Sequence, residues 1–256
     1  MIILNLINLK RLVLNIIKTK SNVLIWYNKK RFHRGINTFY SELYGCQVIA
    51  KAFIFSYSNP FVREFILRAL KGKTLELNLN NLIEGRIDLV CRCISNSLFV
   101  SNNVRRDVVI HIVLEGSGDP PRTVSFFGET IKRLGLDEKS IAIILKNALY
   151  IGKGLKLGEE RDVQDGVKIS KKSFEALIRE RKNIYYLHTK GKDLREVKFS
   201  KDYVFVFGDY IGMPRKTESL LDRLGAKRIS LGEKMYFASH CITIVNYELD
   251  RLITVQ

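Results

Sequence analysis

The chain has 256 residues, 46% of them hydrophobic, and a formal net charge of +17. Residues 62–256 are enough for one compact α/β domain with a sizeable core, and the basic balance favours a nucleic-acid backbone as partner, although an acidic membrane would be attracted equally well. Four cysteines, Cys46, Cys91, Cys93 and Cys241, form neither a disulfide framework nor the paired spacing of a zinc site, so the expectation is a reducing cytoplasm and no metal.

Residues 1–61 carry nine Lys or Arg against the single acid Glu42, a charge of +8 that leaves +9 for the rest. Their first apolar run is broken by Lys10, Arg11, Lys18 and Lys20 well short of the roughly twenty residues a membrane span needs. The order of charge and apolar residues is also the reverse of a secretory signal, so neither membrane nor export is expected. Basic and aromatic residues mix between Trp26 and Arg34, as in an RNA-binding or membrane-surface arm. Against that, Ile, Asn, Lys, Phe and Tyr, all specified by AT-rich codons, make up 31 of the 61 residues, the composition of translated upstream DNA. The expected division is therefore an N-terminal extension, 1–61, and a catalytic domain, 62–256.

From Val62 the alternation in REFILRA predicts a strand, followed by a turn and a loop rich in Asn and Gly up to Gly85. Ile87, Val90, Cys91, Ile94 and Leu98 recur at spacings of three and four and predict a helix over 86–100. Strands beginning at Val108 and Arg122, joined through GSGDPP, read as an antiparallel pair. Asp137 is placed to cap a helix running to Leu149. Residues 151–170, with four glycines and many charges, are expected to be an irregular connection. A short helix at SFEALIRE follows, then strands at 183–188 and 203–207, a helix at 214–224, a strand at 226–231 and a helix at 237–251. Strand and helix alternate, which gives an α/β fold with a partly parallel sheet flanked by helices.

Three predicted strands end in short loops: Lys182 to His188 reads KNIYYLH, Tyr203 to Met213 reads YVFVFGDYIGM, and Ala226 onward reads AKRISLGEKMYFASHCITIVNYELD. Ligands collect beyond the carboxyl ends of parallel strands, where glycine lets a ligand approach the backbone. With GRIDLVCRCIS and the Arg105-Arg106-Asp107-Val108 run, these segments resemble the SPOUT methyltransferases, and within them the archaeal family that methylates N1 of the T-loop pseudouridine of tRNA. The resemblance covers about residues 62–252. Family members usually begin Met-Arg-Glu-Phe-Ile where this chain reads Val62-Arg63-Glu64-Phe65-Ile66, so Val62 is the expected native start.

The resemblance implies a SPOUT fold with a C-terminal trefoil knot, S-adenosylmethionine as cofactor, tRNA as partner and a homodimer that shares its active sites. It places Leu187, Gly208, Ile229, Ser230, Leu231, Gly232, Glu233 and Cys241 around the methyl donor, mainly through their backbones. Cys241 is given a contact role and no covalent chemistry. Removal of the N1 proton calls for a carboxylate or water with cations beside the base, which points to Asp88 and Asp107 as catalytic candidates and to Arg86, Arg92, Arg105 and Arg106 for the substrate. Tyr210 stands where the family usually has histidine. Two other readings stay open at this point: methylation of an rRNA pseudouridine, and a non-catalytic RNA-binding or ribosome-assembly role.

Overall fold

The computed structural model describes residues 62–199 and 202–253. The expected N-terminal extension, its basic aromatic stretch and Cys46 lie outside the described residues, as does the question of the native start.

Strand β1 (Arg63–Ala69) lies centrally in an eight-stranded sheet and is paired in parallel on both sides, with β4 (Val108–Leu114) and with β9 (Tyr203–Gly208). Beyond β9 come β8 (Ile184–Asp193) and β10 (Lys227–Ser230), both parallel. Beyond β4 the sheet turns antiparallel through β5 (Arg122–Phe127), β7 (Val167–Ser170) and β6 (Glu160–Gln164). A two-stranded ribbon, β2 (Phe99–Val100) with β3 (Asn103–Val104), sits apart.

Side chains alternate across each strand, and the sheet is covered on both faces. Phe65, Leu67 and Ala69 face one side with Ile110, Ile112, Tyr185, Phe205 and Phe207, where α1 (Ile87–Leu98), α2 (Glu138–Ile151) and α5 (Ala238–Ile253) pack. Ile66 and Val113 face the other side, with Ile184, Tyr186, Val204 and Val206, under α3 (Phe174–Arg179) and α4 (Arg215–Arg223). Because α1 packs against the sheet, α5 and α2, it buries Leu89 and Cys93 as well as the predicted stripe. Each fully buried large apolar side chain contributes roughly 1.5–3 kcal/mol, so these two layers are the main source of stability.

Local signals set the helix ends. Asp137 accepts a hydrogen bond from the Ser140 N–H at 2.8 Å and caps α2 as expected, and Ser173 does the same for α3 through Ala176 at 3.1 Å. Pro214 immediately precedes α4.

Two expectations change. Residues 151–170 are not irregular throughout: β6 and β7 form a hairpin turning at Asp165-Gly166, with Val167 and Ile169 buried. Asp-Gly between alternating residues is a hairpin signal that the surrounding charges hide. Strand β8 does not stop at His188 but resumes after a five-residue bulge: Tyr186 pairs with Arg228, and the next pair is Lys192 with Ile229.

The bulge returns to the sheet at Gly191, where a Cβ would sit 2.4–2.6 Å from the backbone C, N and O of Ile229. Main chain against main chain leaves no side chain to move aside. Gly191→Ala is expected to destabilise the domain by about 3 kcal/mol, read as a lowered denaturation midpoint, with Lys190→Ala as the control that leaves it unchanged.

Candidate methyl-donor and acceptor cavities

The carboxyl ends of β8, β9 and β10 converge on a cavity of about 530 Å³, within the ordinary range for a small-molecule site. From β8, the bulge projects Leu187, His188 and Thr189 into it. From β9, the chain folds back at Gly208, where a Cβ would lie 2.6 Å from the carbonyl carbon of Gly212. Asp209 holds that turn: its carboxylate accepts from the N–H of Leu70 at 2.8 Å and of Ile211 at 2.9 Å. From β10, the Ser230 hydroxyl accepts from the Gly232 N–H at 3.1 Å, and Gly232 takes φ 105°, a region that favours glycine. The segment then passes through Met235, Tyr236 and Phe237 and enters α5.

Of the residues expected around the donor, Leu187, Gly208, Ile229, Ser230, Leu231, Gly232 and Cys241 line this cavity. Glu233 does not; it is exposed beyond the mouth, because the Gly232 turn carries its side chain outward. Cys241 is 7% exposed and burial pushes its thiol up to about 11, which leaves it protonated and apolar at neutral pH. The lining fits a nucleoside with a short chain: apolar side chains at Leu187, Ile229, Leu231 and Met213, and a main-chain wall at Gly208, where a side chain would collide with the Gly212 backbone and open the turn.

A second cavity, of about 700 Å³, adjoins the first and shares Tyr210 with it. Lys71, Lys73, Ile83, Arg86, Glu115 and Ser117 are among its lining residues, drawn from the loops that follow β1 and β4. The Arg86 guanidinium lies over the Tyr210 ring at 5.2 Å. Arg86 adopts φ 56° and ψ 38°, directly after Gly85 at φ 67°. A left-handed non-glycine residue costs energy that the surrounding contacts must offset. Here they are two hydrogen bonds to the Asp88 carboxylate, at 3.0 and 3.2 Å, which hold Arg86 more firmly cationic than usual. Arg92 donates to the same carboxylate at 2.5 Å. Asp88, Arg86 and Arg92 therefore form one cluster, and Arg86 carries it to the wall of the second cavity.

Arg105, Arg106 and Asp107 do not join them within the chain. They precede β4, at the amino ends of the parallel strands, whereas the cavities open at the carboxyl ends; seven strand residues separate the two by roughly 23 Å. Each has a local partner. Arg105 makes a two-pronged contact with Asp250 at 2.8 and 2.7 Å, Arg106 donates to the carbonyls of Gly128 and Ile131, and Asp107 pairs with Arg63 at 3.0 Å. Arg63 is 2% exposed and also reaches Asn246 at 3.1 Å and Asp250 at 2.7 Å. This buried network joins β1 to α5.

His111 is structural, as expected: buried between Ser125 at 2.7 Å and Glu64 at 3.1 Å, it lines neither cavity. Sequence reasoning passed over Lys71, Lys73, Glu115 and Ser117, because it treated the loops after the first two parallel strands as turns alone. Their position at strand carboxyl ends was the signal available. Among the described residues no cluster of three His, Cys, Asp or Glu could hold a metal ion, and no helix is long and apolar enough to cross a membrane.

Comparison with known proteins identifies the family. Residues 62–253 match the family described as "Putative SAM-dependent RNA methyltransferase". The tRNA (pseudouridine(54)-N(1))-methyltransferase of Methanocella arvoryzae is 39% identical over 193 residues, covering 74% of this chain and 100% of that protein. Its namesake in Methanocaldococcus jannaschii is 40% identical over 200 residues, covering 74% and 97%. Archaeoglobus fulgidus Nep1, solved with S-adenosylhomocysteine, superposes with a TM-score of 0.51 at 15% identity, over 77% of this chain and all of that one, a likeness of fold. The chain belongs to the family of S-adenosylmethionine-dependent RNA methyltransferases.

Proposed function

We propose that the protein methylates N1 of pseudouridine 54 in tRNA, in the cytoplasm, as a homodimer whose fold includes a trefoil knot at the β8–β10 crossing. The observation that carries the reading is the pair of adjoining cavities that share Tyr210. One has the apolar, backbone-lined form of a donor site; the other carries cations, a carboxylate and an aromatic face suited to a single pyrimidine nucleotide. The identities of 39–40% with proteins named for this reaction support the choice of base and position.

In this scheme Leu187, Ile229 and Leu231, which line the first cavity, would hold the donor's adenine, and the backbone of residues 230–232 would supply its polar contacts. Bound there, S-adenosylmethionine supplies an electrophilic methyl group on a sulfonium. The protein's own work is alignment and charge control. Tyr210 offers a ring face to the base at the boundary of the two cavities. Arg86, in the wall of the acceptor cavity, would set its cation near the uracil oxygens, where negative charge grows as N1 loses its proton to water, and Arg92 would share its carboxylate from behind. Asp88 is a positioning residue: three guanidinium N–H groups occupy its oxygens, so it fixes both arginines.

Incubation with labelled S-adenosylmethionine and tRNA transcripts bearing uridine or pseudouridine at position 54 is expected to yield N1-methylpseudouridine from the second transcript alone. Label in an rRNA fragment instead would move the substrate, and donor binding without transfer to any RNA would replace the enzyme with a binding protein. Asp88→Ala should lower kcat by about 10²–10³-fold with donor affinity unchanged; full activity in a folded variant would remove Asp88 from the mechanism. Tyr210→Ala should raise KM for tRNA by about tenfold or more, the value of one lost base–aromatic stack, while Tyr210→Phe stays near the parent.

A further inference from the structure

Helix α2 buries Ile141, Ala142, Ile144, Leu145, Ala148 and Leu149, and turns the opposite side to solvent. Along that outer side, at alternating intervals of four and three residues, stand Lys139, Ile143, Lys146, Tyr150 and, just past the helix end, Lys153, all exposed. From 139 to 158 the chain contains four lysines and no acid. Among the described residues no carboxylate lies within ion-pair distance of Lys139, Lys146 or Lys153, in contrast with Lys132 and Lys168, which pair with Asp165 and Glu160 at 2.9 Å. Tyr150 is 69% exposed and Ile143 50%, and the Lys153 ammonium lies 5.2 Å from the Tyr150 ring centre.

A solvated helix face has little reason to hold large apolar side chains between cations that lack partners. A polyanion with flat apolar units fits this pattern: lysines seven residues apart stand roughly 10 Å from one another along the axis, suited to successive phosphate contacts, and the exposed ring can stack on a base or sugar. The start of the stripe is linked to the second cavity through a chain of charges that ends at Arg86 in the cavity wall. Glu138, the first residue of α2, lies 3.6 Å from Arg92, which holds Asp88.

We infer that the outer face of α2 is a docking surface for the body of the RNA, gripping its backbone beyond the nucleotide that enters the acceptor cavity. This rests on the RNA-methylating reading for its partner, while its test does not depend on turnover. Contacts of this kind position an RNA without reading its sequence.

The test measures equilibrium binding of a labelled tRNA transcript to the full chain across a salt series, for the parent, for the triple variant K139Q/K146Q/K153Q, for Tyr150→Ser, and for the control K132Q/K168Q. The triple variant is expected to bind about 10–100-fold more weakly near physiological salt, and to lower the slope of log affinity against log salt by about 2–3, since each neutralised phosphate contributes about 0.7–0.9. Tyr150→Ser should weaken binding without changing the slope, and the control should match the parent in both. S-adenosylmethionine binding should be the same in all variants, which reports on folding. Equal slopes for parent and triple variant would overturn the inference. So would an equal loss in the control, which would reduce the effect to net charge, or a triple variant that keeps its RNA slope but loses binding to phosphatidylserine vesicles, which would assign the face to an anionic membrane. A parent that binds tRNA with the expected slope yet transfers no methyl group would reject the proposed reaction and leave the docking face standing.

Discussion

The contact on which the rest of the site depends is the approach of two backbones at Gly191 and Ile229. Strand β10 can pair with both parts of β8 only if five residues, Leu187 to Gly191, leave the sheet between them. Leu187, His188 and Thr189 among them line the donor cavity, and the return of the strand fixes how far they stand from the Ser230–Gly232 loop. A Cβ at 191 would push β10 away and with it the start of the segment leading into α5. The cavity is thus a consequence of strand pairing, with the side chains added to a shape that the main chain already imposes.

The adjoining cavity is built on a different physical basis. Its distinctive group is a long side chain held by charge, Arg86 between Asp88 and the Tyr210 ring, with Arg92 behind the wall between Asp88 and Glu138. Such an array is specific in geometry and easily lost, because removing Asp88 would leave two guanidinium groups without their shared partner and Arg86 in a left-handed conformation with less to hold it there. The two cavities accordingly differ in what they tolerate. Backbone-lined walls accept many side chains outside the glycine positions, whereas the charged cluster accepts few changes at any of its members.

Much of the architecture was legible in the sequence because each segment carries a local signal consistent with its place. REFILRA alternates and becomes a strand buried on both sides, Asp137 and Ser173 cap their helices, and seven of the eight residues assigned to the donor by resemblance line one cavity. The losses were of two kinds. The β6–β7 hairpin was hidden because charged residues on an exposed edge strand resemble a loop in composition, although Asp165-Gly166 marked the turn. Arg105, Arg106 and Asp107 stand apart from the cavities within the chain, and the sequence could not show this because a one-dimensional motif does not say at which end of a parallel strand it falls. The run that precedes β4 is held at the amino edge by Arg63, Gly128 and Asp250, and no residue type in it distinguishes that edge from the catalytic one.

That same amino edge explains how α5 can serve the donor cavity at its other end. Asn246 donates to the carbonyls of Asn96 and Ser97 and accepts from Arg63, which is in turn held by Asp107 and Asp250. A buried guanidinium is costly unless its partners are all present, so the network tolerates little sliding of α5 along α1. With the helix fixed there, His240 and Cys241 at its first turns are kept in the lining of the donor cavity that Leu187 and Gly208 also line. Arg105 and Asp107 belong to this anchor, so residues a strand's length from the cavity take part in holding one of its walls in register.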